Sequence, residues 1–190
     1  MQQRIASLIS KGTEPQVLVF LIVLLGALHA GMSGVGLLVF FLYLGIVAGF
    51  VWMARLRFMS SLKTNWDVSD RPKRVRLLIF LVGFSIFLFV TMFLWQNREL
   101  IKLATGLLLW LIGFSFITLK TKISGHLGVA TLFIGFLLGW FGWGWGLLFL
   151  FLPFIAWSRL VLKRHTMIEV VGGTAYSLLA LLLFNVLSLW

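Results

Sequence analysis

The sequence predicts an all-α fold, a polytopic transmembrane helix bundle with about six to seven spans. Of its 190 residues, 61% are hydrophobic and only 11% are charged, whereas soluble domains carry about 25% charged residues. The mean hydropathy is +1.08, so the polar side chains are too few to cover a water-soluble globule. We therefore predict one membrane domain that spans residues 1–190.

Apolar runs along the chain predict the individual spans. They cover residues 15–31, 37–54, 77–95, 100–119, 127–141, 147–157 and 167–190. A span needs about 20 residues, with about 17 as a practical minimum, and the fifth and sixth runs fall short of this. Their join alternates glycine with tryptophan over residues 139–146. Glycine weakens helices and tryptophan favours the membrane interface, so we predict a tight re-entrant turn there. One long bent helix over residues 127–157 is the alternative.

Polar segments converge on one face of this predicted bundle. Paired runs return the chain to the side it left, which places residues 1–14, 55–76, 120–126 and 158–165 together. Fourteen of the sixteen Lys and Arg residues lie in these segments, and only Arg98 and Lys102 lie opposite. The positive-inside rule then predicts that this face of the bundle lies on the cytoplasmic side of the cell membrane. The net charge of +11 indicates contact with anionic lipids or an anionic substrate, and we expect no nucleic-acid partner.

Two of these segments contain histidines in patterns that suit phosphate chemistry. Glu169 follows His165 by four residues near the start of a predicted helix, so the two share a helix face. A carboxylate there can fix the imidazole tautomer and leave the other nitrogen as a base or nucleophile. Arg159 supplies a forked donor for phosphate oxygens. In the second segment, Gly125 permits close backbone approach to an anion, and His126 is a candidate general acid.

These two segments, together with a basic segment over residues 63–74, resemble the type 2 phosphatidic acid phosphatase and vanadium haloperoxidase superfamily, in its membrane lipid phosphatase branch. That family carries K-x6-R-P, then P-S-G-H, then S-R-x5-H-x3-D. Here the third motif has full spacing from Ser158 to Glu169, with Glu in place of Asp, and the second has Ile123 in place of Pro. In the first motif seven residues separate Lys63 from Arg71-Pro72, so either Arg71 or Arg74 is the candidate arginine.

The resemblance implies a role for each matched residue. His165 would attack phosphorus and form a phosphohistidine, Glu169 would orient it, and His126 would protonate the leaving group. Residues implied to hold the phosphate are Lys63, Arg71, Arg159, and the backbone at Ser124 and Gly125, with Arg74 as an alternative ligand. The phosphatase branch uses no metal or other cofactor. Many members act on the extracytoplasmic face, whereas the charge distribution here favours the cytoplasm.

The sequence thus predicts a metal-independent lipid phosphatase, with a non-catalytic protein that binds or transports anionic lipids as the alternative. Phosphatidic acid, phosphatidylglycerol phosphate, polyprenyl phosphate and polyprenyl pyrophosphate all fit as substrates, and the oligomeric state is open. Asp67 and Asp70 are expected to pair with neighbouring bases. His29 stands alone in an apolar run and is interpreted as a packing or interfacial residue. Without cysteine, neither a disulfide nor a thiolate metal site can form.

Overall fold

The computed structural model describes residues 1–61 and 71–189, and within them the chain is helical with no strand. Residues 62–70, which include Lys63, Asp67 and Asp70, lie outside the described part, as does the side chain of Arg71. The α-helices are α1 (Gln2–Gly12), α2 (Pro15–His29), α3 (Gly34–Ser61), α4 (Arg71–Met92), α5 (Arg98–Lys120), α6 (Gly125–Phe141), α7 (Leu152–Val161) and α8 (Met167–Val186). Short 3₁₀ helices cover Phe93–Trp95 and Trp143–Phe151.

Six helical stretches of the described chain are long and apolar enough to cross a membrane. They are Gln2–His29, Gly34–Ala54, Pro72–Trp95, Arg98–Lys120, Trp143–Val161 and Met167–Val186, and α6 is a shorter apolar helix among them. Many large apolar side chains on these stretches are exposed, such as Ile46, Phe116 and Leu182. An exposed apolar surface of this extent suits contact with lipid. The predicted all-α polytopic bundle is confirmed.

Contacts between helix ends define two opposite ends of the bundle. At one end, which we call the polar end, the Lys122 Nζ before α6 donates to the Arg164 carbonyl after α7 at 2.7 Å. At the other, the Asn97 side chain that caps α5 donates to the Ala30 carbonyl after α2 at 3.2 Å. His29 stacks on Trp140 at this opposite end, with ring centroids 5.5 Å apart, which agrees with its interpretation as a packing or interfacial residue.

The turn between α6 and the following span is confined to one residue. Gly142 has a φ of +95°, a conformation that L side chains rarely adopt. The chain then reverses, and the 3₁₀ helix Trp143–Phe151 packs back against α6. The bond between Lys122 and Arg164 shows that this hairpin returns to its starting end, so the chain does not continue as one bent helix. Residues 143–146, which we predicted as part of the turn, already belong to the returning span.

A 3₁₀ helix lengthens the sixth span. Residues in a 3₁₀ helix rise about 2.0 Å each, compared with about 1.5 Å in an α-helix. The nine-residue 3₁₀ helix therefore reaches farther than an α-helix of equal length. Together with the ten residues of α7, it spans about 33 Å on these rises.

Helix α6 lies at the centre of the bundle and packs on α2, α7 and α8. Most of its residues are buried, including Leu132 and Phe136, which have no exposed surface. A second apolar cluster joins α2, α3 and α5 around Phe40 and Leu100 at the opposite end. The most buried helix thus begins at the polar end with the second sequence motif, which gives that motif a rigid support.

The N-terminal segment, treated above only as a polar stretch, forms helix α1 and packs along α7. Ala6 is fully buried, and Ile9 packs against the main apolar core. Arg4 and Lys11 are exposed. Helix α1 is therefore amphipathic, with one face against α7 at the polar end.

Candidate active site

Helix α8 begins with a capping box that also holds His165. The Thr166 Oγ1 accepts from the Glu169 N–H at 3.4 Å, and the Glu169 Oε2 accepts from the Thr166 N–H at 3.1 Å. Such reciprocal bonds satisfy backbone donors that the first turn of a helix leaves open. Glu or Gln is the residue that completes a capping box, and Glu169 has this role here.

The same carboxylate oxygen of Glu169 contacts His165. The His165 Nδ1 and the Glu169 Oε2 are 2.9 Å apart, and the His165 side chain is only 5% exposed. An ionised carboxylate can only accept hydrogen bonds, so Nδ1 carries the proton in this pair. In a neutral ring the lone pair then resides on Nε2. The predicted pairing at four-residue spacing is present, and it sets the tautomer that a nucleophilic histidine needs.

Five residues separate Arg159 from His165, and a helix-ending turn fills this interval. Lys163 has a φ of +52°, and its N–H donates to the Leu160 carbonyl, while the Arg164 N–H donates to the Arg159 carbonyl. These two bonds form a Schellman motif, a common way for a helix to end. Helix α7 thus ends at Val161, four residues before His165, and α8 begins at Met167, two residues after it. The spacing of the third motif therefore covers the end of α7 and this turn.

Backbone contact joins the second and third motifs. The Ser124 N–H donates to the Glu169 carbonyl at 2.8 Å. A Cβ added to Gly173, one turn further along α8, would lie 2.3 Å from the Ser124 carbonyl oxygen. The start of α6 and the start of α8 are therefore in direct backbone contact. This contact brings two segments, about forty residues apart in the sequence, into one site.

The start of α6 presents open hydrogen-bonding groups. Ser124 is its N-cap, but the side chain caps no N–H, and its buried Oγ has no hydrogen-bond partner among the described residues. The N–H of Ser124 is used by Glu169, so any anion here would meet the N–H groups of the first turn instead, from Gly125 onward. His126, the second residue of α6, is partly exposed.

Arg159 is buried in the last turns of α7. Its residue surface is 4% exposed, and its Nη1 donates to the Ser10 Oγ of α1 at 2.7 Å. The preceding Ser158 is fully buried, and its hydroxyl donates to the Ile155 carbonyl within α7. A buried arginine retains its charge and needs oxygen partners, and the Ser10 hydroxyl is one of them.

The first motif is described only in part. Lys63 lies outside the described residues, and Arg71 begins α4 with a side chain outside them as well. Arg74, in the first turn of α4, is partly buried, and its Nε has no hydrogen-bond partner among the described residues. Helix α4 packs on α5, whose C-terminus leads into the second motif. The choice between Arg71 and Arg74 stays open.

Two other features of the described residues bear on the site. No group of three or more His, Asp and Glu residues within 1–61 and 71–189 could hold a metal ion. A cavity of about 600 Å³ lies between the start of α5 and the end of α8, where it is lined by Arg98, Lys102 and Leu189 among others. It opens at the opposite end of the bundle and is separate from the histidines.

Two residues of this arrangement, Thr166 and Ser10, were not predicted from the sequence. Thr166 was readable, because a Thr three residues before Glu at the start of an apolar run is the signature of a capping box. Ser10 had a weaker signal: it follows Ala6 by four residues on one face of a short amphipathic helix. Nothing in the sequence indicates that this face meets Arg159.

Comparison with known proteins finds no matching family model, no matching curated protein and no matching solved structure. The resemblance to the phosphatase superfamily therefore rests on the motifs and on their arrangement in this chain.

Proposed function

We propose that this protein is a membrane-embedded lipid phosphatase that works through a phosphohistidine intermediate. The observation that carries the proposal is the 2.9 Å contact between His165 Nδ1 and Glu169 Oε2 in a residue pair attached to the start of α6 by Ser124. Two motifs that are far apart in the sequence meet, and the meeting point lies at the polar end of a membrane bundle. Structural packing alone does not require a buried histidine oriented by a carboxylate at that place.

In the proposed reaction, the Nε2 of His165 attacks phosphorus. A nitrogen–phosphorus bond forms as the bond to the leaving oxygen breaks, and His126 gives that oxygen its proton. Water then attacks the phosphohistidine and gives a proton back to His126, while the nitrogen–phosphorus bond breaks. Release of free phosphate restores the enzyme. Arg159 and the first-turn N–H groups of α6, with Lys63 and Arg71 or Arg74 from the first motif, neutralise the phosphate oxygens, which is the main catalytic requirement of phosphoryl transfer.

A lipid substrate fits the position of these groups. The candidate residues lie where apolar spans end, so a phosphate headgroup can reach them while its acyl or prenyl chains stay in the bilayer. A phosphomonoester or a pyrophosphate bond suits the same chemistry. The distribution of bases supports a site that faces the cytoplasm at the cell membrane.

Phosphate release tests the proposal directly. The purified protein in detergent would be given phosphatidic acid, phosphatidylglycerol phosphate, and polyprenyl mono- and pyrophosphate, all in EDTA. We expect release from at least one lipid by the wild type and none by His165→Ala. His29→Ala is a matched control, because His29 lies at the opposite end against Trp140, and it should keep wild-type activity. Equal activity in His165→Ala and wild type would overturn the nucleophile assignment.

A non-catalytic role in binding or moving anionic lipids is the second candidate. It is favoured by the net charge of +11 and by the concentration of bases at one end. Such a role depends on positive charge and not on Glu169, so Glu169→Gln separates the two. This alternative would be favoured if Glu169→Gln binds lipid as the wild type does and the wild type releases no phosphate.

A further inference from the structure

Helix α1 brings a hydroxyl group to the arginine of the third motif. The Ser10 Oγ accepts a hydrogen bond of 2.7 Å from the Arg159 Nη1, although 149 positions separate the two residues. None of the three motifs includes Ser10. Its position depends on the packing of α1 along α7, with Ala6, one turn earlier, fully buried.

The bond occurs where the orientation of the guanidinium matters. An arginine has five N–H donors in a rigid plane, and it binds phosphate best when two of them point at the same phosphate group. Ser10 engages one of the terminal nitrogens and so restricts rotation of the whole plane. Arg159 is 4% exposed, so water contributes little to its orientation.

We propose that Ser10 is a positioning residue for phosphate binding: its hydroxyl holds the guanidinium of Arg159 in the orientation that receives the phosphate group. Helix α1 then forms one wall of the site. This inference rests on the proposed function, because it assigns Ser10 through the phosphate-binding role of Arg159. A displacement of about 1 Å in a positioning group can cost about 10²-fold in rate, so loss of a single hydroxyl should be measurable.

The test compares hydroxyl variants in the full chain, with the best lipid substrate from the panel above. Ser10→Ala should lower kcat/KM about tenfold, which is about 1.4 kcal/mol, and should weaken inhibition by inorganic phosphate by a similar factor. Ser10→Thr keeps the hydroxyl and should restore much of both. Thr13→Ala is the matched control, because the Thr13 Oγ1 donates to the Ile9 carbonyl of its own helix. It should match the wild type.

Inhibition by inorganic phosphate separates positioning from mere support of the fold. A purely structural role would lower the melting temperature of Ser10→Ala and leave the phosphate inhibition constant of the folded protein unchanged, and that result would overturn the inference. In an Arg159→Lys background, Ser10→Ala should have little further effect, because the two residues act as one unit. Fully additive losses would contradict the proposal.

A second variant keeps the inference testable if Ser10→Ala does not fold. The chain has no cysteine, so Ser10→Cys, a close isostere, introduces a unique thiol for N-ethylmaleimide. A loss of activity in the folded variant, before or after complete modification, supports the inference, and full activity after modification overturns it. An inactive wild type on every lipid would instead reject the proposed function, whereas an active wild type with a fully active Ser10→Ala rejects only the role of Ser10.

Discussion

The backbone N–H of Ser124 donates to the backbone carbonyl of Glu169 at 2.8 Å. The bond connects the residue before α6 with the first turn of α8. Both ends of it belong to sequence motifs that the proposed chemistry needs. The close approach depends on Gly173, which has no side chain to separate the two backbones.

Gly173→Ala should therefore damage the site. Its Cβ would lie 2.3 Å from the Ser124 carbonyl oxygen, and since that atom is backbone, α6 and α8 must move apart. Forced overpacking of this kind typically costs about 1–3 kcal/mol, and we expect a lower melting temperature and at least a tenfold loss of phosphatase activity. Gly83→Ala is the control, because nothing lies within 4 Å of the added carbon. Wild-type activity in Gly173→Ala would show that this contact is not needed.

Glu169→Gln should separate folding from chemistry. Glutamine also completes a capping box, so the start of α8 and the melting temperature should be retained. The amide cannot hold His165 through a carboxylate, and stabilisation of the charged imidazole is lost. We expect about a 10²-fold fall in kcat, measured in the phosphate-release assay, with lipid binding little changed. A variant with nearly full kcat would remove Glu169 from the mechanism.

Thr166→Ala should instead lower the stability of the protein and have a smaller effect on its activity. It removes the hydroxyl that accepts from the Glu169 N–H, and loss of an N-cap costs about 1 kcal/mol. Activity should fall less than in Glu169→Gln, because the carboxylate is still present. Thermal unfolding in detergent measures the loss, and Thr166→Ser should recover the stability. If Thr166→Ala has the same melting temperature as the wild type, the hydroxyl does not cap α8 in solution.

Lys163→Gly should stabilise the protein. Lys163 adopts a φ of +52° in the turn that ends α7, and a left-handed conformation costs a residue with a Cβ about 1–2 kcal/mol. Glycine relieves this strain, although it also gives the unfolded chain more freedom. The net gain should be about 0.5–1 kcal/mol, seen as a higher melting temperature at unchanged kcat. A lower melting temperature would indicate that the lysine side chain makes a compensating contact.

The apolar runs predicted the bundle well, because a residue in lipid must be apolar regardless of its neighbours. Two features of the bundle were predicted wrongly, for physical reasons. The sixth span begins at Trp143, since its 3₁₀ geometry uses residues that look like turn residues. Helix α1 was missed because its apolar face is too short to stand out beside polar residues.

The candidate site was predictable to the extent that its contacts are local. The pair His165 and Glu169 follows from helical spacing, and the two side chains are in contact. The bonds from Ser124 to Glu169 and from Arg159 to Ser10 join distant segments. A backbone contact leaves no side-chain signature, and a single serine in a short helix carries little information, so neither was visible in the sequence.

The capping box has a consequence for biogenesis. The imidazole of His165 is oriented only when Thr166 and Glu169 have closed the first turn of α8, and the ribosome makes that turn after the preceding seven described α-helices. A nascent chain that has already inserted α6 therefore carries His126 and many of its bases without a competent nucleophile. The enzyme we propose would become active only when α8 enters the bilayer and the Glu169 carbonyl reaches the Ser124 N–H.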